Sequence, residues 1–449
     1  MRHLFGTDGM RGVAGEHPLN PATLFALGHA LATQMKTTRG QARIALGMDT
    51  RESCGWIAGA LAAGVRAAGG SLIGAGVLPT PGLALITRRG GYDAGLMVSA
   101  SHNPYRDNGV KVFDASGTKL PDAAEIELET LISNVEAPAA LDAAAEAASV
   151  VTDPALHEMY LSFLDECREG VRFDGVTVVL DTAHGAAYRI ADEAFKRAGA
   201  HTIVLADSPT GRNINDAHGS MHPEVVARTV RERGAAMGFA FDGDADRCIA
   251  ASGSGKVLDG DFMLFYCGRA LQRAGKLPGR TVVATVMSNL GLQKALEHEK
   301  VKMKRAPVGD RYVLQEMQEG GHMLGGEQSG HVIFMQYAPT GDGVLTALTM
   351  TRLWKQGAGD FDTALASIPH FPQVLKNVQV REKPPIESHP ALAAAVRRAE
   401  KQMGGDGRVV IRYSGTEPKA RVMIEGPDAA LVERLVNEVC AVFKREIGL

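Results

Sequence analysis

Short apolar runs, each closed by Gly, Ser, Asp or Pro, recur along most of this chain and alternate with longer Ala- and Leu-rich segments of helical spacing. Three stretches repeat one order of parts: strand, turn, helix, strand, Pro-marked turn, helix, strand, polar loop. The first runs from Ile44–Met48 through Leu72–Gly76 to Leu96–Ser101. The second runs from Val176–Leu180 through Ile203–Leu205 to Gly238–Asp242, and the third from Val282–Val286 through Met303–Pro307 to Met323–Glu327. Strand and helix alternating on this scale predict an α/β fold, with mixed sheets under helical cover. The period is too long for a solenoid, so the stretches read as three related domains.

The tail breaks the pattern. Val374–Val380, Val409–Tyr413 and Val422–Glu425 read as strands, and the last helix sets Val432, Leu435, Val436, Val439, Cys440 and Phe443 on one stripe. That predicts a smaller α+β domain. With Ala137–Ala148, Gly253–Gly255 and Pro369–Pro372 as boundary signals, the expected domains are 1–150, 151–253, 254–369 and 370–449.

The repeat also places three unusual loops at equivalent strand ends: Ser99–Pro104, Asp242–Arg247 and Glu327–His331. Ligands of open α/β sheets gather at such carboxyl ends. In the first loop Ser101 stands beside His102, a hydroxyl next to an imidazole that suits a covalent relay; the bland alternative is a polar turn cornered by Asn103-Pro104. In the second, Asp242, Asp244 and Asp246 repel one another unless a cation neutralises them. An all-carboxylate set favours a hard ion such as Mg²⁺. An EF-hand is excluded, because position 253 is Gly where its loop needs Glu. In the third, Glu327 and Ser329 suit adjacent hydroxyls of a sugar ring and His331 suits proton movement.

Two further segments fit phosphate. Ser414, Gly415 and Thr416, flanked by Arg412 and Arg421, offer hydroxyls, N–H groups and guanidinium forks for an anion. Near the start, Phe5–Gly12 combines three glycines with Arg11, and Lys111 offers a second charge near Ser101. No Walker pattern occurs in the chain.

Composition narrows the setting. The 449 residues are 45% hydrophobic and 22% charged with net charge -3, so nothing favours a nucleic-acid or membrane partner. The five cysteines are scattered and form no CxxC pair, no stretch is apolar enough to span a bilayer, and the first eight residues lack a signal segment. A cytoplasmic protein is expected.

A serine, a metal site, a hydroxyl reader and a phosphate cradle suit phosphoryl transfer on a phosphorylated polyol. With Phe5–Gly12, Ser99–Pro104, Asp242–Arg247, Gly326–His331 and Arg412–Arg421 in order over nearly the whole length, the chain resembles the α-D-phosphohexomutase superfamily. Gln328 and the Phe-Gly-Thr-Asp-Gly-Met-Arg-Gly opening point to its branch acting on glucosamine phosphates; relatives acting on glucose or mannose phosphates usually carry Met at that position.

The resemblance implies four domains around a central cleft. It implies a phosphate on Ser101 that holds Mg²⁺ together with Asp242, Asp244 and Asp246, and a catalytic group of His102, Lys111, Arg11, Arg247 and His331. The reaction it implies interconverts glucosamine 6-phosphate and glucosamine 1-phosphate through a 1,6-bisphosphate. Glucosamine or glucose 1,6-bisphosphate is the implied activator, and a homodimer is one assembly it allows. A glucose or mannose phosphate mutase is the alternative in the same class, and a phosphatase using Asp242 as nucleophile is the alternative in another.

Overall fold

The computed structural model describes residues 4–6, 9–139, 141, 150–414 and 417–449. The expected Ala137–Ala148 boundary lies largely outside them.

Four sheets follow one another along the chain. The first holds β1 (Phe5–Gly6), β2 (Gly9–Val13), β3 (Arg43–Met48), β4 (Ser71–Val77), β5 (Ala94–Val98), β6 (Asp107–Asp114) and β7 (Val151–Thr152), in the order β1-β2-β6-β5-β3-β4-β7. The second holds β8 (Thr177–Asp181), β9 (His201–Leu205), β10 (Met237–Phe241), β11 (Cys248–Ser252) and β12 (Val257–Leu258), in the order β12-β11-β10-β8-β9. The third holds β13 (Thr281–Thr285), β14 (Lys302–Ala306), β15 (Leu324–Gly326) and β16 (Val332–Phe334), in the order β14-β13-β15-β16.

The repeat read from the sequence is therefore present as topology. In each of these sheets the first strand of the unit lies between the second and the third, all parallel. A fourth strand then returns antiparallel beside the third: β6 on β5, β11 on β10, β16 on β15. Each of the three polar loops joins that third strand to its returning partner. The returning strands escaped the sequence reading: β6 begins in Asp107-Asn108-Gly109, and β11 and β16 are short apolar runs of five and three residues, all of them buried.

The last sheet is antiparallel, β17 (Gln373–Gln379), β18 (Arg408–Tyr413) and β19 (Lys419–Glu425) in the order β17-β19-β18. The closing helix Ala429–Ile447 packs on it and buries the predicted stripe from Val432 to Phe443. The fold is thus α/β with a smaller C-terminal unit, as expected.

One apolar core runs through the first three units, joining Phe113, Tyr160, Phe195, Phe239, Phe262 and Phe334, while the last unit keeps a core of its own. The last unit docks through polar contacts. Glu425, fully buried, accepts the Leu290 N–H at 3.1 Å from the start of the helix Leu290–His298. Arg408 pairs with Glu425 and donates to Ser288 O at 2.9 Å. A carboxylate at a helix N-terminus meets unsatisfied N–H groups and a favourable dipole.

A second buried carboxylate joins the second and third units. Tyr160, on the helix Ala155–Cys167, donates its hydroxyl to Asp342, 3.0 Å from either oxygen. Asp342 also caps the helix Gly343–Lys355 through the Leu345 N–H at 2.9 Å. No salt-bridge partner faces it among the described residues, and burial pushes its carboxyl up to about 7. The folded chain therefore binds this proton more tightly than the unfolded one, and stability is lost as pH rises from about 4 to about 7. In urea melts, Asp342→Asn gains stability relative to the unsubstituted chain over that window, by up to about 4 kcal/mol. A difference that stays constant with pH would show that Asp342 does not titrate there.

Candidate active site

Ser101 follows the end of β5 in a left-handed conformation, φ 53°, which costs a non-glycine residue energy and needs outside support. The support is visible. Its N–H donates to Ser99 Oγ at 3.0 Å, and its carbonyl accepts from Arg51 Nη2 at 3.1 Å and Asn215 Nδ2 at 2.9 Å. Arg51 is itself paired with buried Asp49, which also accepts the Ser99 hydroxyl at 2.5 Å. The serine is held by a frame from the first two units, and its Oγ donates to Asp242 Oδ2 at 2.6 Å.

Asp242, Asp244 and Asp246 stand on the loop between β10 and β11, with ligand oxygens within 4.8 Å of one another. The loop is tight: a Cβ at Gly243 would fall 2.5 Å from Ser101 O, so that position admits only glycine. Thr80 Oγ1 donates to Asp244 Oδ2 at 2.6 Å, and Lys111 Nζ reaches the same oxygen at 2.7 Å and Asp246 Oδ2 at 3.2 Å. Burial, with Asp246 and Asp244 adding to it, pushes the Asp242 carboxyl well above the usual range against the pull of Arg247 and the Ser101 hydroxyl. Asp244 Oδ1 is buried with no hydrogen-bond partner. An unsatisfied, like-charged, all-oxygen set fits a divalent cation.

His102 Nδ1 lies 3.3 Å from Ser101 Oγ and 3.1 Å from Arg247 Nη1. Burial, Arg247 and Arg11 hold its imidazole below the ordinary value. A ring facing a guanidinium with its Nδ1 presents a lone pair there, so His102 is neutral near pH 7. Burial works against the charge on Arg247, but Asp246, Asp242 and Glu327 outweigh it and hold the guanidinium charged.

The third loop leaves β15 at Glu327, whose Oε1 accepts the Gly309 N–H at 3.1 Å. Ser329 is exposed, and His331 is buried with Nε2 3.8 Å from Asp310 Oδ2. Glu327 acts electrostatically on both Arg247 and Arg412, so the loop stands between the carboxylate cluster and the last unit. There Arg412 and Arg421 face each other across β18 and β19. Burial and Arg421 hold the Arg412 guanidinium below its usual value, and the Nε atoms of both are buried without a hydrogen-bond partner. Ser414 is buried beside them, with its Oγ accepting the Glu417 N–H at 3.3 Å. Gly415 and Thr416 lie outside the described residues.

Ser101, His102, Lys111, Arg247 and the three aspartates thus form one cluster. Lys111, which from sequence alone resembles an ordinary surface lysine, is 1% exposed and inside it. Sequence reasoning missed Thr80, Asn215 and the Asp49–Arg51 pair, and also Asp310, which bonds Lys119 of the first unit at 2.6 Å. Thr80 had a signal, since the Pro-marked turn carrying it recurs as Ser208-Pro209-Thr210 in the second unit.

Four family models match the chain in order. They are phosphoglucomutase/phosphomannomutase, alpha/beta/alpha domain I at residues 2–139, domain II at 158–255, domain III at 259–371 and the C-terminal domain at 375–442. A curated phosphoglucosamine mutase of Solibacter usitatus is 48% identical, covering 100% of this chain and 99% of that one. One of Symbiobacterium thermophilum is 44% identical over 100% of both. Among solved structures, a phosphoglucomutase/phosphomannomutase family protein of Burkholderia thailandensis superposes with TM-score 0.80 at 23% identity, covering 99% of each chain. Aspergillus fumigatus N-acetylphosphoglucosamine mutase, in complex with GlcNAc-6P and magnesium, does so with TM-score 0.69 at 17% identity over 98% and 96%.

The carboxylate cluster makes a direct prediction. Millimolar Mg²⁺ or Mn²⁺ raises the melting temperature by a few degrees, since an ion bound only by the folded state stabilises it. Asp244→Ala abolishes the rise. An unsubstituted chain whose melting ignores both ions would show that the triad holds neither.

Proposed function

The chain belongs to the phosphoglucomutase/phosphomannomutase family, and on that premise we propose that it interconverts glucosamine 6-phosphate and glucosamine 1-phosphate through a 1,6-bisphosphate. One observation carries the reading: a hydroxyl, Ser101 Oγ, bonded to a carboxylate of a buried triad that also holds a lysine.

In this reading Ser101 enters the cycle carrying a phosphoryl group. The free hydroxyl of the bound sugar phosphate attacks phosphorus and gives up its proton, the Ser101 Oγ–phosphorus bond breaks, Ser101 Oγ gains a proton, and the bisphosphate forms. After the bisphosphate turns end for end, Ser101 Oγ takes back the other phosphoryl group. Asp242, at hydrogen-bond distance from that oxygen, is placed to take its proton at this second transfer. Mg²⁺, held by Asp242, Asp244, Asp246 and the phosphate on Ser101, would neutralise charge on the transferring group.

Lys111, Arg247 and Arg11 add positive charge around the reacting oxygen, and neutral His102 presents its Nδ1 lone pair beside it. Glu327 and Ser329 are assigned to the sugar hydroxyls, with His331 moving a proton among them. Arg412, Ser414, Gly415, Thr416 and Arg421 are assigned to the phosphate that is not being transferred. A pocket that reads the ring on one side and the distant phosphate on the other accepts both orientations of the intermediate.

Glucosamine or glucose 1,6-bisphosphate would load Ser101 initially. A cytoplasmic homodimer is the setting proposed, because phosphorylated sugars of this kind are made and consumed inside cells.

Ser101→Ala lowers turnover at least about a thousandfold, and intact mass spectrometry of the unsubstituted chain finds one phosphate, mapped to Ser101. Full turnover by Ser101→Ala, or phosphate on Asp242, would transfer the chemistry to an aspartyl phosphate. Comparison of kcat/KM among the 6-phosphates of glucosamine, glucose and mannose tests the sugar. A tenfold preference for glucose or mannose overturns the aminosugar reading.

A further inference from the structure

The side-chain amide of Gln328 is committed to the protein. Its Nε2 donates to Asp259 Oδ2 at 3.1 Å, while Asp259 Oδ1 accepts the Phe262 N–H at 3.1 Å and so caps the helix Gly260–Arg273. The main-chain carbonyl of Gln328 accepts the Gly260 N–H at 3.0 Å. The loop lies so close on this helix end that a Cβ at Gly260 would fall 1.9 Å from Glu327 O. On the other side Cys248 N–H holds Gly330 O at 3.0 Å. Main-chain contacts thus fix both flanks of the loop. Among the described residues the Gln328–Asp259 bond is the side-chain tie between loop and helix.

Burial raises the Asp259 carboxyl, while the Phe262 N–H and the Gln328 amide pull against that rise, so the bond supports the carboxylate at the helix start. The bond engages one of the two Nε2 hydrogens and fixes the orientation of the amide, so Gln328 holds the loop to the helix through its side chain. Glu327 and Ser329, immediately on either side, are the groups assigned to the ring. Small displacements of such groups cost large factors in rate.

We propose that Gln328 governs hexose selection as a positioning residue, through Asp259, by fixing where Glu327 and Ser329 meet the ring. The proposal rests on the aminosugar reading above.

The test exchanges donor and acceptor. Gln328→Glu sets two carboxylates face to face and breaks the tie. The ratio of kcat/KM for glucosamine 6-phosphate over glucose 6-phosphate then falls about tenfold, through kcat rather than KM, because the distant phosphate still anchors the substrate. Adding Asp259→Asn to that variant re-forms the bond with its polarity reversed and restores the ratio to within about twofold. Asp259→Ser, which keeps the helix cap and removes the second acceptor, lowers the ratio as Gln328→Glu does.

If the exchange restores nothing, or Asp259→Ser leaves the ratio intact while Gln328→Glu lowers it, Gln328 reads the sugar itself and the proposal fails. Should Asp259→Ser not fold, the exchange decides alone. An unsubstituted chain that prefers glucose 6-phosphate overturns the aminosugar reading. The exchange is then scored on kcat for glucose 6-phosphate, where loss and restoration still support the positioning role.

Discussion

Three aspartates buried on one short loop are the constraint to which the rest of the site answers. Their mutual repulsion and lost hydration cost more than the loop alone offsets, so other elements must bring positive charge and donors to them. Lys111 comes from β6, Thr80 from the turn after β4, and Ser101 from the turn after β5. All three belong to the first unit, whereas the aspartates belong to the second. The cluster is therefore also the joint between the two sheets. A chain that assembled these units differently would leave three carboxylates uncompensated.

The repeat explains why such a joint is available. In each of the first three units the last parallel strand hands over to an antiparallel one through the polar loop, so each sheet presents its unusual residues at the same corner. A shared apolar core fixes these corners relative to one another, and Asp342 with Tyr160 adds a buried polar contact within it. The last unit has no share in that core. It is held by Glu425 and Arg408 on the start of the helix Leu290–His298, contacts that are directional and few.

Much of this was legible because period and spacing survive in a single sequence. The parallel strands, the tail helix and the three loops follow from runs of apolar residues closed by turn formers. Less legible was anything set by burial. Lys111 was legible as a charge near Ser101 but its burial was not, since nothing local reveals that β6 lies between β2 and β5. Asn215, and the Asp49–Arg51 pair beneath Ser101, act through main-chain contacts with residues far away in sequence. Gln328 was legible as a marker of sugar preference, but not as a residue bonded to Asp259, because the turn that brings them together is a tertiary contact.

The two ends of the site are mismatched in opposite senses. At the joint of the first two units, buried carboxylates lack sufficient positive charge, and Asp244 Oδ1 is left without a hydrogen bond. In the last unit Arg412 and Arg421 face each other across adjacent strands, an arrangement that like charges disfavour, and each has a buried Nε without an acceptor. One end carries surplus buried carboxylate, the other surplus guanidinium, and Glu327 lies in electrostatic reach of both Arg247 and Arg412. Under the proposed function, a sugar with phosphate at both ends would answer both imbalances in either orientation.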